Sequence, residues 1–236
     1  MTETRLDVEN LHKAFILHLR SGQRRPILAG VSLRLHAGEC VTLDGPSGTG
    51  KSTLLRCIYA NYRTDQGRIR VRHEGQWIDL AATDPRTILT VRRRSLGYIS
   101  QFLRAPPRVG TQAIVAEPLR AAGWSDEQAN ARAAALLERL GLPSDIWDAP
   151  PASFSGGEQQ RVNIARGLVA DWPVLLVDEP TAGLDPANRR LVLDAIHHAK
   201  DNGTAILGIF HDEPARQALA DRTYDMQAAP VDRIAN

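Results

Sequence analysis

The hydrophobic positions change their period along the chain. Val31, Leu33 and Leu35 alternate with polar neighbours, as do Ile69 and Val71, which is the two-residue period of a half-buried strand. Glu74-Gly75, between Val71 and Trp77-Ile78, reads as a hairpin turn. Cys40 to Leu43 reads as a short buried strand running into a glycine-rich loop, and Ser52 to Tyr59 as the helix after it. From 102 to 169 the pattern turns helical. Ser125 suits an N-cap with Gln128 as its capping-box partner, Ala133, Leu136, Leu137 and Leu140 keep helical spacing, and Gly141 suits the stop. Strand signals return at Val174–Val177 and Ala205–Phe210, with a helix expected from Ala187 to Ala199 between them. Strand, helix and strand at this spacing predict a parallel α/β sheet. The last fifteen residues are weakly patterned. The expected organisation is one domain over 1–236, with a core of 1–101 and 170–236 and a helical subdomain of 102–169.

Composition narrows the function classes. The chain of 236 residues carries 29 basic and 27 acidic residues, a balance too even for nucleic-acid binding by bulk charge. The run Arg92-Arg93-Arg94 reads as a solvated face. No stretch approaches a bilayer-spanning length, and MTETRLDVEN lacks the pattern of a signal peptide, so a cytoplasmic setting is expected. Cys40 and Cys57 cannot build a disulfide framework and read as small apolar residues. His197-His198 reads as a helix surface pair, not a ligand set.

Three segments carry chemistry. Gly45-Pro46-Ser47-Gly48-Thr49-Gly50-Lys51-Ser52 fits G-x-x-x-x-G-K-[ST]. Its glycines let backbone N–H groups wrap phosphate oxygens, and the following helix presents its positive end to the same anion. Lys51 adds charge at the β- and γ-phosphates, and the Ser52 hydroxyl can ligate Mg²⁺. Val174-Leu175-Leu176-Val177-Asp178-Glu179 delivers two carboxylates at the end of an apolar strand. Asp178 can then stand beside the phosphate-bound Mg²⁺, and Glu179 can face the attacking water as base or orienter. Ser155-Gly156-Gly157-Glu158 opens a helix whose bare amides form a second anion site. One triphosphate needs only one such site per subunit. Two copies facing each other, each closing its Ser155 helix on the other's phosphate loop, account for both.

With these motifs in order, the chain resembles an ATP-binding cassette (ABC) ATPase over nearly its whole length. The resemblance implies a P-loop NTPase of the ABC type, with a RecA-like parallel-sheet core, an antiparallel β subdomain and a helical insert. It places Thr53 with the phosphate loop, Gln101 at the Q-loop, Phe154 to Glu158 at the signature, Ala182-Gly-Leu-Asp185 at the D-loop and His211 at the switch histidine. It assigns Phe15 to adenine stacking, although Phe15 also suits a core position. It implies ATP and Mg²⁺ as cofactors. Gln101 would reach Mg²⁺ or the attacking water, His211 the γ-phosphate, and Asp185 would link two sites across a dimer. The signature departs from the usual pattern in Phe154, where leucine is common, and Glu158, where glutamine is common.

Phe15-Ile-Leu-His18, Tyr59-Ala-Asn-Tyr62, Ser100-Gln-Phe-Leu-Arg104, Phe154 to Gly167 and Gly208-Ile-Phe-His-Asp-Glu213 resemble, more narrowly, L-type ATP-binding subunits of bacterial phosphonate carbon–phosphorus lyase systems. That implies a soluble lyase core complex as partner and a homodimer, or a heterodimer with a paralogous ABC subunit. The alternative is the motor of a membrane transporter, for phosphonate import or lipoprotein or macrolide export, with contact to a membrane only through a partner.

Overall fold

The computed structural model describes residues 3–17 and 23–227. His18, quoted above, and residues 228–236 lie outside them. Two sheets organise the chain. The first is antiparallel, in the order β2-β1-β4-β5, from β1 (Thr4–Leu17), β2 (Gln23–His36), β4 (Gln66–His73) and β5 (Gln76–Asp79). The second is parallel, in the order β6-β7-β8-β3-β9, from β3 (Cys40–Asp44), β6 (Leu96–Ile99), β7 (Val174–Asp178), β8 (Ala205–Ile209) and β9 (Arg222–Asp225).

The expected alternations hold. Val31, Leu33 and Leu35 are buried while Ser32 and Arg34 are exposed. Glu74 and Gly75 turn the β4–β5 hairpin with φ of 46° and 83°, the left-handed pair that matches strand twist. β7 and β8 are buried on both faces, as strands in a covered parallel sheet must be. Leu175 and Val177 face one core together with Val162, Ala165 and Val169 of the insert. Val174 and Leu176 face the other, with Leu54, Leu55 and Ile58 and the apolar face of the antiparallel sheet.

The helices are α1 (Lys51–Ile58), α2 (Pro85–Arg94), α3 (Thr111–Ala121), α4 (Asp126–Arg139), α5 (Gly156–Leu168), α6 (Pro186–Asp201) and α7 (Glu213–Leu219). Ser125 and Gln128 form the expected capping box of α4, and Gly141 ends that segment with φ of 69°. α5 lies tight on β6: a Cβ on Gly167 would overlap Ile99, so Gly167→Ala forces an overpacking shift of about 1–3 kcal/mol. Cys40 and Cys57 are buried free thiols, and burial pushes them up to about 12 and about 11. His197 and His198 are exposed on α6, as expected.

Three features differ from the expectations. α2 is a helix that the apolar spacing does not signal, because Val91 is its only buried residue; Asp84, which accepts from the amides of Arg86 and Thr87, and Pro85 start it. Arg92 on α2 is not a solvated charge. Its guanidinium lies 4.3 Å from the Tyr59 ring centre and its Nε donates to the Tyr59 carbonyl at 2.8 Å, while Arg93 and Arg94 are exposed. Within the weakly patterned end, residues 222–225 form β9, which extends the parallel sheet beside β3.

Candidate active site

The parallel sheet carries its chemistry at the carboxyl ends of β3, β6, β7 and β8, where open α/β sheets gather ligands. β3 feeds the loop Gly45–Gly50. Gly45, Gly48 and Gly50 have φ of 135°, 85° and 96°, backbone that L side chains rarely adopt. A Cβ on Gly50 would stand 2.9 Å from Ile27 and Leu28, so only glycine lets the loop close against β2. Pro46 accepts from the Thr49 amide and hydroxyl at 3.3 and 2.9 Å, and Ser47 stands exposed between them. The buried Lys51 ammonium turns back onto this loop, donating to the carbonyls of Gly45 and, at 3.1 Å, Pro46. α1 starts with no side-chain cap and no acidic residue in its first turn, so its amides and positive end are uncompensated within the described residues. Ser52 and Thr53 follow in that first turn.

The end of β7 supplies the acids. Asp178 is buried beneath the loop. Its Oδ1 accepts from the Ser52 hydroxyl at 3.2 Å and its Oδ2 from the Tyr98 hydroxyl at 3.2 Å. Burial raises the Asp178 carboxyl above the usual range, and the Tyr98 and Ser52 hydroxyls oppose that shift. Burial, and then the neighbouring Asp178, also raise the Tyr98 hydroxyl, which keeps it a protonated donor. Glu179 follows with φ of 53°, a left-handed conformation that turns its carboxylate away from the strand. The Gln101 amide donates to Glu179 Oε2 at 3.1 Å, and His211 Nε2 lies 2.7 Å from Glu179 Oε1. Residues separated by 78 and 32 positions thus meet on one carboxylate. The fold also braces them: Asn163 and Gln160 of α5 donate to the carbonyls of Ser100 and Pro180, and the Thr181 hydroxyl donates to Asp212 at 2.7 Å.

Ser155 and its neighbours form a separate exposed group. Ser155 caps α5, accepting from the Glu158 amide at 3.4 Å, while its own amide and hydroxyl donate to Glu158 Oε2 at 2.9 and 2.7 Å. The expectation of entirely bare amides therefore needs correction. Glu158 satisfies the Ser155 amide, and the amides of Gly156 and Gly157 carry no further bond among the described residues. Those bonds hold the Glu158 carboxyl below its ordinary range. Asp185 caps α6 through the Asn188 amide at 2.9 Å, which likewise lowers its carboxyl. No described hydrogen bond joins Ser155, Glu158 or Asp185 to Lys51, Asp178 or Glu179 within this chain. Phe15 is half-buried on β1, with its ring edge-on to Tyr62 at 5.3 Å and Lys13 Nζ 5.1 Å from its centre.

The oxygen pair of Ser52 and Asp178 suits a hard divalent cation, and phosphate oxygens and water would complete the small octahedral shell of Mg²⁺. Among the described residues no cluster of three or more His, Cys, Asp or Glu builds an all-protein cage. No described helix is long and apolar enough to cross a membrane.

A family profile described as ABC transporter matches residues 28–182. The macrolide export ATP-binding/permease protein MacB of Shigella flexneri is 37% identical over 207 residues, which is 88% of this chain and 31% of MacB. The chain thus spans about a third of that relative's length. The glutamine transport ATP-binding protein GlnQ of Bacillus subtilis is 37% identical over 197 residues, covering 83% of this chain and 78% of GlnQ. Among solved structures, the dimeric post-hydrolysis state of the ATP-binding cassette MJ0796 with ADP and Pi superposes with a TM-score of 0.83 at 26% identity, covering 93% of both chains. A second dimeric MJ0796 structure, of a bacterial ABC transporter cassette, gives 0.84 at 25% identity over 94% of both.

Proposed function

Because the chain belongs to the ABC transporter family and is an ATPase of its ATP-binding cassette type, we propose that it works as a dimer, with itself or with a paralogous cassette, closing around Mg-ATP to drive a partner. The observation that carries this reading is the Glu179 carboxylate, held between Gln101 and His211 beside the Ser52–Asp178 pair. Lys51 and the amides of the Gly45–Gly50 loop hold the β- and γ-phosphates, and Phe15 takes the adenine. Ser52 and Asp178, with Gln101 on closure, would hold Mg²⁺, which when bound would neutralise charge developing on the phosphates. Glu179 orients and deprotonates the attacking water. Gln101 and His211 fix that carboxylate, and His211 faces the γ-phosphate. Ser155, Gly156, Gly157 and Glu158 of a second subunit complete the site, and Asp185 lies where two such sites communicate. The chain acts as one cassette domain over 1–236, and its insert, 102–169, moves as the site closes. Glu179→Gln tests the assignment: it should bind ATP, lose hydrolysis by about 10²–10⁴-fold and accumulate as a dimer on a sizing column with Mg-ATP. Near-normal turnover would remove Glu179 from its role.

The favoured partner is a membrane transporter. The relatives named above are a macrolide exporter and a glutamine transport ATPase, which favours this reading over a soluble lyase. A groove of about 280 Å³ between the core and the insert, lined by Tyr59, Leu89, Arg92, Arg104 and Arg166 beside the exposed Phe102, offers a docking place next to Gln101. The phosphonate carbon–phosphorus lyase core remains the second reading, carried by the segments around Tyr59–Tyr62 and Ser100–Arg104. Affinity purification of the tagged full chain from phosphate-starved cells separates them. Integral membrane proteins support the first reading, and soluble lyase subunits support the second.

A further inference from the structure

Tyr98 stands at a junction that the reaction scheme does not use. It lies on β6, three residues before Gln101, on the strand that pairs in parallel with β7 through Tyr98 and Leu176. Its hydroxyl donates to Asp178 Oδ2 at 3.2 Å, while Ser52 holds Oδ1 at the same distance. The two bonds together fix the plane of the carboxylate. The ring of Tyr98 packs against Tyr59 at 5.0 Å between centres, tilted by 33°, and the Arg92 guanidinium lies 4.3 Å from the Tyr59 ring centre. One edge of Tyr98 also borders the groove of about 280 Å³ beside the insert. A single half-buried side chain therefore touches both the acid beneath the phosphate loop and the wall of the groove.

We infer that Tyr98 is a positioning residue for the metal site: its hydroxyl holds Asp178 Oδ2, so that Oδ1 and Ser52 Oγ present themselves together to the cation. This rests on the reading of Asp178 as a Mg²⁺ ligand. The chemistry requires a hydroxyl at this place. Without it Asp178 keeps one hydrogen bond in a buried setting, and its carboxylate can rotate away from Ser52. Partners behind a ligand commonly set about 10–100-fold in metal affinity by fixing the ligand's orientation. A phenylalanine keeps the packing on Tyr59 and removes the hydroxyl, which donates to Asp178 and also faces the Arg56 guanidinium.

The test uses the full chain in the Glu179→Gln background, where ATP-driven dimerisation can be followed without turnover. Mg²⁺ is titrated at saturating ATP, and dimer is read by light scattering. ATP affinity in EDTA and the melting temperature are measured alongside. Tyr98→Phe should raise the Mg²⁺ midpoint about tenfold, with ATP affinity in EDTA within about twofold of the parent and the melting curve close to it. Asp178→Asn in the same background should raise the midpoint further. A Tyr98→Phe midpoint equal to the parent's, while Asp178→Asn shifts, overturns the role of Tyr98 and leaves that of Asp178 standing. No shift in either variant overturns the reading of Asp178 as a ligand. If Tyr98→Phe melts far below the parent, Tyr98→His, which keeps a ring and a donor, decides: an unchanged midpoint supports positioning, and a midpoint raised as far as that of Asp178→Asn contradicts it.

Discussion

The starts of α1 and α5 are two answers to the same problem. Both helices open on glycine-rich segments, and each leaves backbone amides without intrahelical partners. At α1 nothing among the described residues answers them. Gly50 offers no side chain, no acid lies in the first turn, and Lys51 adds a further positive charge. At α5 the Ser155–Glu158 box answers part of the demand, and a carboxylate stands at the positive end. The first helix start is therefore left positive, with no capping side chain and no acid of its own. The second offers the amides of Gly156 and Gly157, but with the Glu158 carboxylate of its own capping box beside them. That asymmetry suits a loop that binds nucleotide in the monomer and a helix tip that joins only when two subunits close.

Breaking the α1 side should have the largest effect. Lys51→Ala removes the main charge facing the phosphates, and hydrolysis should fall about 10²–10³-fold together with ATP affinity, measured by a phosphate-release assay and nucleotide titration. Ser155→Arg breaks the other side. It should cut turnover about 10²-fold yet leave the monomer's ATP affinity unchanged in equilibrium binding; weakened monomer binding would place the α5 tip within the same subunit's site.

Glu158→Gln keeps an acceptor for the Ser155 amide but removes the negative charge that faces an incoming phosphate. The ATP concentration for half-dimerisation should fall about 2–5-fold, the scale of one charge at a helix terminus. The same variant gives a pH signature. Hydrogen bonds from Ser155 depress the Glu158 carboxyl, so its contribution to stability is complete above the ordinary glutamate value of about 4.3 and is lost as pH falls through the lower folded value. The difference in melting temperature between parent and variant should be constant above about pH 5 and change only below about pH 4, as calorimetry across that window would show.

The phosphate loop was legible in the sequence because its chemistry is contiguous. Gly45 to Ser52 contains the turn, the charge and the hydroxyl in one segment, and the flanking strand and helix patterns place it. Gln101, Glu179 and His211 became legible through their order along the chain, and the sheet brings them together because β6, β7 and β8 are neighbours. Tyr98 was not legible. Nothing in Leu96-Gly97-Tyr98-Ile99 says that the Tyr98 hydroxyl meets a carboxylate 80 positions away; that needs the β6–β7 register. The capping role of Glu158 was hidden for the opposite reason. Its spacing from Ser155 marks a capping box, yet the same residues read as a bare anion site, and only the side-chain geometry shows both uses sharing one helix end. Arg92 looked solvated because a run of arginines carries no sign of the Tyr59 ring and carbonyl packed beneath it.

In the proposed dimer one triphosphate is gripped by the loop of one subunit and the helix tip of another. Mixing two inactive variants tests it most directly. In a mixed dimer of Lys51→Ala and Ser155→Arg, one site carries both defects and the other has an intact loop facing an intact tip. The account predicts that the mixture regains hydrolysis far above either variant alone, towards about a quarter of wild type for random two-fold pairing. A mixture no more active than its separate components would contradict it.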